Sequence, residues 1–408
     1  MRGKLPGGAV PDAVVAVVER LAAGGHPSWL VGGCVRDLLA GRTPVDFDVA
    51  TAAPPEAVLA MFRRAVPTGL RHGTVMVPTA AGPVDVTTFR GGPTLEEDLA
   101  HRDFTLNAIA LDPCGGEIRD PFDGRADLDK GRLRAVGSAR ERFAEDPLRA
   151  LRAARLAAAL ELEVDPEVEA AMGAAGPGRE RVARERVRPE LCAQLLAPGA
   201  TVGLWLLRRT GLEARLAPGA AGDAPDVVAG VPARVDLRIA AWLRGARVIP
   251  ILRTLRFSRR TVDAIAHLLR WHPVEAGVDA ASDASVRRHL KRVGEHALPD
   301  LVALRRAELV RGAEAGTPDA ARALERLAGL EAAVARVRAA GSMALHRHEL
   351  AIRGDEVMQV LGTGPGPHVG RALRHLTERV IEDPAVNQPE TLRALLLEWR
   401  AATRGDGS

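Results

Sequence analysis

A chain of 408 residues is too long for one hydrophobic core and points to two to four domains. With 47% hydrophobic and 26% charged residues it is globular rather than disordered, and no apolar run reaches the length of a transmembrane helix. The net charge of +4 and pI of about 9.4 suit a polyanionic partner, while 3% aromatic residues and no tyrosine argue against rows of stacking platforms.

The three cysteines, Cys34, Cys114 and Cys192, are far apart and lack metal-ligand spacing, as expected of free thiols in a reducing compartment. The N-terminal stretch has no apolar signal-peptide core, so a soluble, cytoplasmic protein is expected.

Residues 11–24 read as a helix that starts at Pro11 and stops at a glycine pair. Next come the apolar run Trp29–Val31, the glycines Gly32 and Gly33, and Arg36-Asp37 on a short helix. A glycine turn opening a helix leaves backbone N–H groups facing any nearby anion. After a Gly/Pro turn, Val45-Asp46-Phe47-Asp48-Val49 alternates strictly, which predicts a strand with both carboxylates on one face and the apolar residues on the other. Neighbouring carboxylates repel unless a cation lies between them, and hard oxygen donors suit Mg2+. A metal clamp beside a phosphate cradle is an arrangement for nucleotide chemistry.

Residues 54–64 read as a helix, and His72 to Phe89 as a hairpin whose second strand carries Asp85, either a third carboxylate near Asp46 and Asp48 or an exposed strand residue. After the short connection Gly91–Thr94, the segment LEEDLAHRDFTLNAIAL reads as largely helical. Two turns, DPCGGE and DPFDG, flank a short strand. Up to residue 137 strands and helices mix; from Ala139 the pattern is almost wholly helical, so a domain boundary belongs there.

A helix around Glu145-Asp146-Pro147 carries Arg149, Arg152 and Arg155, three arginines along one side, either a ligand wall or a solvated face. Residues 183–197 read as a helix braced by internal Glu–Arg pairs, and the Gly/Ala/Pro-rich residues 217–234 as a linker. Helices follow at about 235–245, 247–256 and 259–271, with basic clusters at Arg253–Arg256, Arg259-Arg260 and Arg287–Arg292. The glycine-rich run Gly362–Pro367 opens another helix, as an interhelical turn or a site for one backbone phosphate near Arg371. The last residues, RGDGS, are expected to fray.

Each of these motifs is weak alone. In this order, GGCVRD, DFD, DVTTFR, HRDFTLNA, DPFDG and EDPLRALRAAR resemble the class II tRNA nucleotidyltransferase and poly(A) polymerase family, which includes the bacterial CCA-adding enzymes. The motifs cover about residues 29–191. The resemblance implies an α/β head with a polymerase-β-like nucleotidyltransferase fold (1–137), then an all-α neck (138–200), body (201–285) and tail (286–408), the last two binding the acceptor stem and elbow of tRNA by shape and phosphate.

It implies that Asp46 and Asp48 hold Mg2+, with Asp85 as a further catalytic carboxylate, and that Gly32, Gly33, Arg36 and Arg102 contact the nucleoside triphosphate. Asp103 would read the ribose hydroxyl and Asn107 would support that loop. Asp146 and Arg149 would act as a protein template for CTP and ATP. The carboxylate accepts from the exocyclic amine of cytosine or adenine, and uracil offers a carbonyl there instead. Arg152 and Arg155 would continue that wall toward the phosphates.

Two departures stand out. His101 replaces the family's first arginine in Arg-Arg-Asp, and only four residues separate Arg90 from Leu95 where related enzymes have a longer, flexible loop. A shortened loop resembles the CC-adding members, which add two cytidines and leave the terminal A to another enzyme. A complete CCA-adding enzyme, a poly(A) polymerase and a non-catalytic RNA-binding relative are the alternatives, the last disfavoured by the intact Asp46 and Asp48.

Overall fold

A computed structural model describes residues 9–69, 73–174, 184–340 and 346–405. The chain divides into two compact units, Met1–Gly219 with Pro250–Phe257, and Ala220–Ile249 with Ser258–Ser408.

The first unit begins with α1 (Asp12–Ala23), β1 (Ser28–Val31), α2 (Gly33–Leu39), β2 (Phe47–Thr51) and α3 (Pro55–Met61). It continues through β3 (Val66–Gly69), β4 (Thr74–Thr79), β5 (Gly82–Thr88), α4 (Leu95–Ala100), β6 (Ala110–Leu111) and β7 (Ile118–Arg119). The seven strands form one mixed sheet in the order β3-β4-β5-β2-β1-β6-β7, with β2 antiparallel to β1 and parallel to β5.

Period-2 alternation sorts β2 between two cores. Phe47 and Val49 pack with Val14, Val18 and Leu21 of α1, while Ala50 packs on the other side with Leu95 and Leu99 of α4. Asp48, one residue from each of Phe47 and Val49, therefore points to the α4 side.

The strand is shorter than the alternation suggests. Val45 is 98% exposed and reaches no core. The register explains this: Val31, the last residue of β1, pairs with Asp48, and Phe47 pairs with Val84 of β5, so Val45 and Asp46 precede the ladder and form a bend. The expected hairpin is present from Thr74 onward; His72 lies outside the described residues.

The segment expected to be largely helical is not. Its helix ends at Ala100, followed by an extended Phe104 that bridges to Ala135, a 3-10 turn at Thr105–Asn107 and β6. Side chains compete with the helix ladder here. Asp103 accepts from the Phe104 backbone N–H at 2.9 Å, and the Thr105 hydroxyl donates to Asp127 at 2.6 Å.

Further on come α5 (Gly124–Asp129), β8 (Arg132–Leu133), α6 (Ala139–Glu145), α7 (Leu148–Leu160), β9 (Glu163–Val164), α8 (Pro166–Ala174), α9 (Arg184–Leu196), α10 (Ala200–Arg209) and α11 (Leu212–Leu216). β8 and β9 pair in parallel, so the helical stretch after Ala139 contains a strand. The single helix expected around Glu145-Asp146-Pro147 is two: Asp146 is extended (φ −141°, ψ 100°) and links α6 to α7. A residue before proline is driven out of the helical region, so Pro147 sets the break. The ion pairs described for α9 reach outside the helix. Glu190 pairs with Arg155 and Arg186 with Asp146; residue 183 lies outside the described residues.

The second unit is helical. The expected linker at 217–234 contains a helix, Ala224–Ala229, which buries Val227 and Val228. Longer helices include Arg259–Arg270, Asp283–Val293, Leu298–Glu314, Ala320–Ala339 and Pro367–Glu382. In the basic cluster at 287–292, Arg287 is buried and donates to the Ile381 carbonyl, while Arg288 and Lys291 pair with Glu378. That cluster is thus engaged partly inside the unit. No helix among the described residues is long and apolar enough to cross a membrane.

Candidate active site

β1 delivers the chain into Gly32, whose φ of 80° and ψ of −136° suit only glycine, and α2 starts at the next residue. The turn must also pass close to its neighbours: a Cβ on Gly32 would lie 3.0 Å from Arg102 Nη1 and 3.6 Å from Asp48 Oδ2. We expect Gly32→Ala to cost about 1–2 kcal/mol in urea unfolding from backbone strain. It should also displace the Arg102 guanidinium. An unchanged unfolding midpoint would refute the close approach.

A cavity of about 410 Å³ gathers Gly32, Gly33, Arg36, Asp46, Asp48, Arg102, Asp103, Asn107, Asp146, Arg149, Arg152 and Arg155. Residues from the turn after β1 to α7, more than a hundred positions apart, thus converge on one space. Asp85 does not line it, although it stands in register beside Asp48 on β5. Three further residues line the cavity, Arg90, His101 and Arg186, none of which carried a site assignment from the sequence.

The acidic wall is electrostatically unfavourable on its own. Burial, then the charges of Asp46 and Asp85, push the Asp48 carboxyl up to about 6 against the opposing pull of Arg102 and Arg152. Burial and Asp46 likewise raise Asp85. Among the described residues no group of three or more His, Cys, Asp or Glu side chains is set for a metal ion. Two hard oxygen donors held too close for comfort still fit Mg2+, which keeps several waters and takes one or two carboxylates plus phosphate oxygens.

The basic wall is held by a polar network. Arg36 grips Asp37 with two bonds of 3.0 and 3.1 Å and donates to Asn107 Oδ1 at 2.8 Å. Asn107 donates in turn to Asp103 Oδ1 at 3.1 Å, and Arg152 Nε donates to Asp103 Oδ2 at 2.7 Å. Asp103 is 7% exposed. Burial alone would raise its carboxyl; the Arg152 charge and these hydrogen bonds outweigh burial and hold it at about 2. Both its oxygens therefore already have donors from the protein.

Asp98, 1% exposed, holds two arginines: Arg90 Nε at 3.0 Å on one oxygen and Arg102 Nη2 at 3.0 Å on the other. Through Arg90 it anchors the start of the short connection to Leu95. Thr94 anchors the other end in a capping box with Glu97. Between them Gly91 lies against the His101 imidazole and Gly92 against the Glu97 carboxylate, where a Cβ would fall within 1.9 and 2.2 Å of their atoms. The connection is a strap laid on α4.

Asp146 and Arg149 are both at the cavity but do not bond each other through their side chains. Asp146 Oδ1 accepts from the Leu148 backbone N–H at 3.1 Å and Oδ2 from Arg186 at 2.7 Å. Arg149 donates to Glu145 at 2.8 Å and to the His101 carbonyl at 3.0 Å. Arg155 turns to Glu190 at 2.5 Å.

Three families match the chain: poly A polymerase head domain over residues 28–134, probable RNA and SrmB-binding site of polymerase A over 161–223, and tRNA nucleotidyltransferase domain 2 (putative) over 238–396. The chain is 33% identical to the CCA-adding enzyme of Geobacillus stearothermophilus across 94% of its own length and 96% of that protein's. It is 32% identical to that of Streptococcus sanguinis, across 94% and 96%. Its structure superposes on the Bacillus stearothermophilus CCA-adding enzyme in complex with CTP with a TM-score of 0.74 at 32% identity, covering 97% and 99% of the two chains. The fold is shared as well with the Thermotoga maritima CCA-adding enzyme complexed with tRNA, at a TM-score of 0.68, 18% identity and 95% of each chain. With its head built on a mixed sheet and the rest helical, the chain belongs to the tRNA nucleotidyltransferase and poly(A) polymerase family, the family of these CCA-adding enzymes.

Proposed function

We propose that this protein is a Mg2+-dependent, template-independent nucleotidyltransferase that adds cytidine, and in the alternative also adenosine, to the 3′ end of tRNA from CTP and ATP. The observation that carries this reading is the single cavity shared by the Asp46/Asp48 carboxylates and the Asp146/Arg149 pair. Its volume of about 410 Å³ falls within the usual range for a small-molecule site. Of the two CCA-adding enzymes that superpose on the chain, one is in complex with CTP and the other is complexed with tRNA.

Asp46 and Asp48 would hold Mg2+, which when bound lowers the pKa of the primer hydroxyl and neutralises the triphosphate and leaving pyrophosphate. Gly33 and Arg36 at the start of α2, and Arg102 held by Asp98, bind the triphosphate oxygens through charge-assisted bonds. Asp103 and Asn107 present the ribose side of the cavity. Asp146 accepts from the exocyclic amine of cytosine or adenine while Arg149 donates to the ring. Residues 1–137 serve as catalytic head, 138–200 as neck, and 201–285 and 286–408 as body and tail that hold tRNA in the cytoplasm. The phosphate contacts in that binding should weaken with salt.

We favour addition of CC alone. The support is the strap from Arg90 to Leu95, short in sequence and fastened at Asp98, His101 and Glu97, which is poorly suited to act as a lever when the pocket changes from CTP to ATP. The test is product sequencing after CTP and ATP are supplied together with a tRNA lacking its last three nucleotides. Products ending in CC with ATP unused are expected. Products ending in CCA would remove the strap argument and leave the complete CCA-adding reading. CTP left unused, with ATP polymerised, would replace both by poly(A) polymerase.

A further inference from the structure

α9 presents Arg186 and Glu190 four residues apart, hence on one helical face. Opposite them lie the Asp146 link and α7. The charges are complementary along this line. Arg186 donates to Asp146 Oδ2 at 2.7 Å, while Glu190 accepts from Arg155 at 2.5 Å and lies 3.6 Å from Arg152. α9 thus backs the cavity wall with a positive group against the acid and a negative group against the arginines.

Arg186 also has a particular place. It lines the nucleotide cavity and a second groove of about 1220 Å³, and shares that seam with Asp48, Arg90, Arg102 and Asp146. Asp146 is extended and belongs to no helix, so only the Leu148 N–H from its own segment restrains its carboxylate. The terminal carboxylate torsion is soft and broad, so one bond leaves its plane loosely set. The guanidinium of Arg186 supplies the second restraint.

We propose that Arg186 is a positioning residue for base choice: it fixes the plane of the Asp146 carboxylate, so that an exocyclic amine meets an acceptor, whereas a carbonyl in the same place faces that acceptor with no proton between them. This rests on the reading of Asp146 as the group that faces the base. Telling an amine from a carbonyl needs the acceptor at a fixed position, whereas phosphate binding does not. Glu190, by contrast, sets the arginines and acts on all nucleotides alike.

The Arg186–Asp146 pair is half exposed at Arg186, 54%, so its loss should leave the fold intact, with a melting temperature within about 2 °C of wild type. The test uses the full-length protein and a tRNA lacking its last three nucleotides, with kcat/KM measured separately for CTP and UTP. Arg186→Ala should lower the CTP-to-UTP ratio by about tenfold or more. Arg186→Lys should recover part of that ratio, because an ammonium keeps the charge but not the fork. Glu190→Gln should lower kcat/KM for both nucleotides and leave the ratio within about twofold. An unchanged ratio in Arg186→Ala, or an equal fall in Glu190→Gln, overturns the assignment to Arg186. A wild-type protein that adds CMP and UMP equally well would instead overturn base reading by Asp146, and this proposal with it.

Discussion

Asp48→Asn should reduce nucleotide addition by on the order of 10^3-fold or more while making the metal-free protein more stable. The loss of turnover follows from the role proposed for the carboxylate: a bound divalent ion supplies several kcal/mol of charge stabilisation to phosphoryl transfer, and each 1.4 kcal/mol is about tenfold in rate. The gain in stability follows from the electrostatics. Burial, Asp46 and Asp85 push Asp48 from 3.8 up to about 6. The folded chain therefore binds more protons than the unfolded one between those values. Its contribution to stability is full below the unfolded value and is lost as pH rises through 6. At pH 8 the ionised group costs up to about 3 kcal/mol, which the isosteric amide removes. Added Mg2+ should raise the melting temperature of wild type, by linkage, and leave that of Asp48→Asn nearly unchanged. Thermal scans at pH 5 and pH 8, with and without Mg2+, check all of this. A variant less stable than wild type at pH 8 without metal would contradict the crowding of carboxylates, and full activity would contradict the metal assignment.

How far the site could be read from the chain depended on the range of each contact. β2 was legible because its alternation is local, and so was the turn at Gly32, where a glycine pair separates an apolar run from a helix. The edge strand Val66–Gly69 was not. Three of its four residues are exposed and it carries no alternation, so only its pairing with β4 defines it. The break at Asp146 had a signal that was there to be used, since Pro147 disfavours a helical residue before it. The end of α4 had a weaker one, in the run of Asp103, Thr105 and Asn107, whose side chains compete for backbone donors. Arg186 and Glu190 had none. Arg186 finds its partner Asp146 forty positions away, and the same residues within an isolated helix would pair with each other. Long-range ion pairs of this kind are set by tertiary packing, and sequence spacing is silent about them.

The same long-range wiring makes Arg152 the residue whose loss should damage the protein most outside the metal site. It joins α7 to the Asp103 loop across forty-nine positions. Asp103 is 7% exposed and sits at about 2 because Arg152 and two hydrogen bonds overcome its burial. A carboxyl lowered from 3.8 to about 2 adds about 2 kcal/mol of stability at neutral pH, full above the unfolded value and lost as pH falls through 2. Removing the guanidinium takes away that gain and leaves a buried charge with only Asn107 and the Phe104 N–H as donors. Arg152 is 34% exposed, so breaking this half-buried pair from one side should cost less than a fully buried one, about 2–4 kcal/mol, and Arg152→Met should lower the melting temperature by roughly 4–12 °C. The sign of the pH dependence should invert as well. With its partner gone, burial raises the Asp103 carboxyl above its unfolded value, so the variant should gain stability as pH falls from 8 toward 5, where wild type is flat in this respect. Adding Asp103→Asn to Arg152→Met removes the stranded charge and should recover more than half of the loss, though not activity. Nucleotide addition should stay down by on the order of 10^2-fold, because the loop that presents Arg102 and Asn107 is no longer tied to α7. Urea unfolding of wild type, the single variant and the double variant at pH 5 and pH 8 decides the matter. A single variant as stable as wild type, or a double variant no better than the single, would mean that the pair carries no such energy.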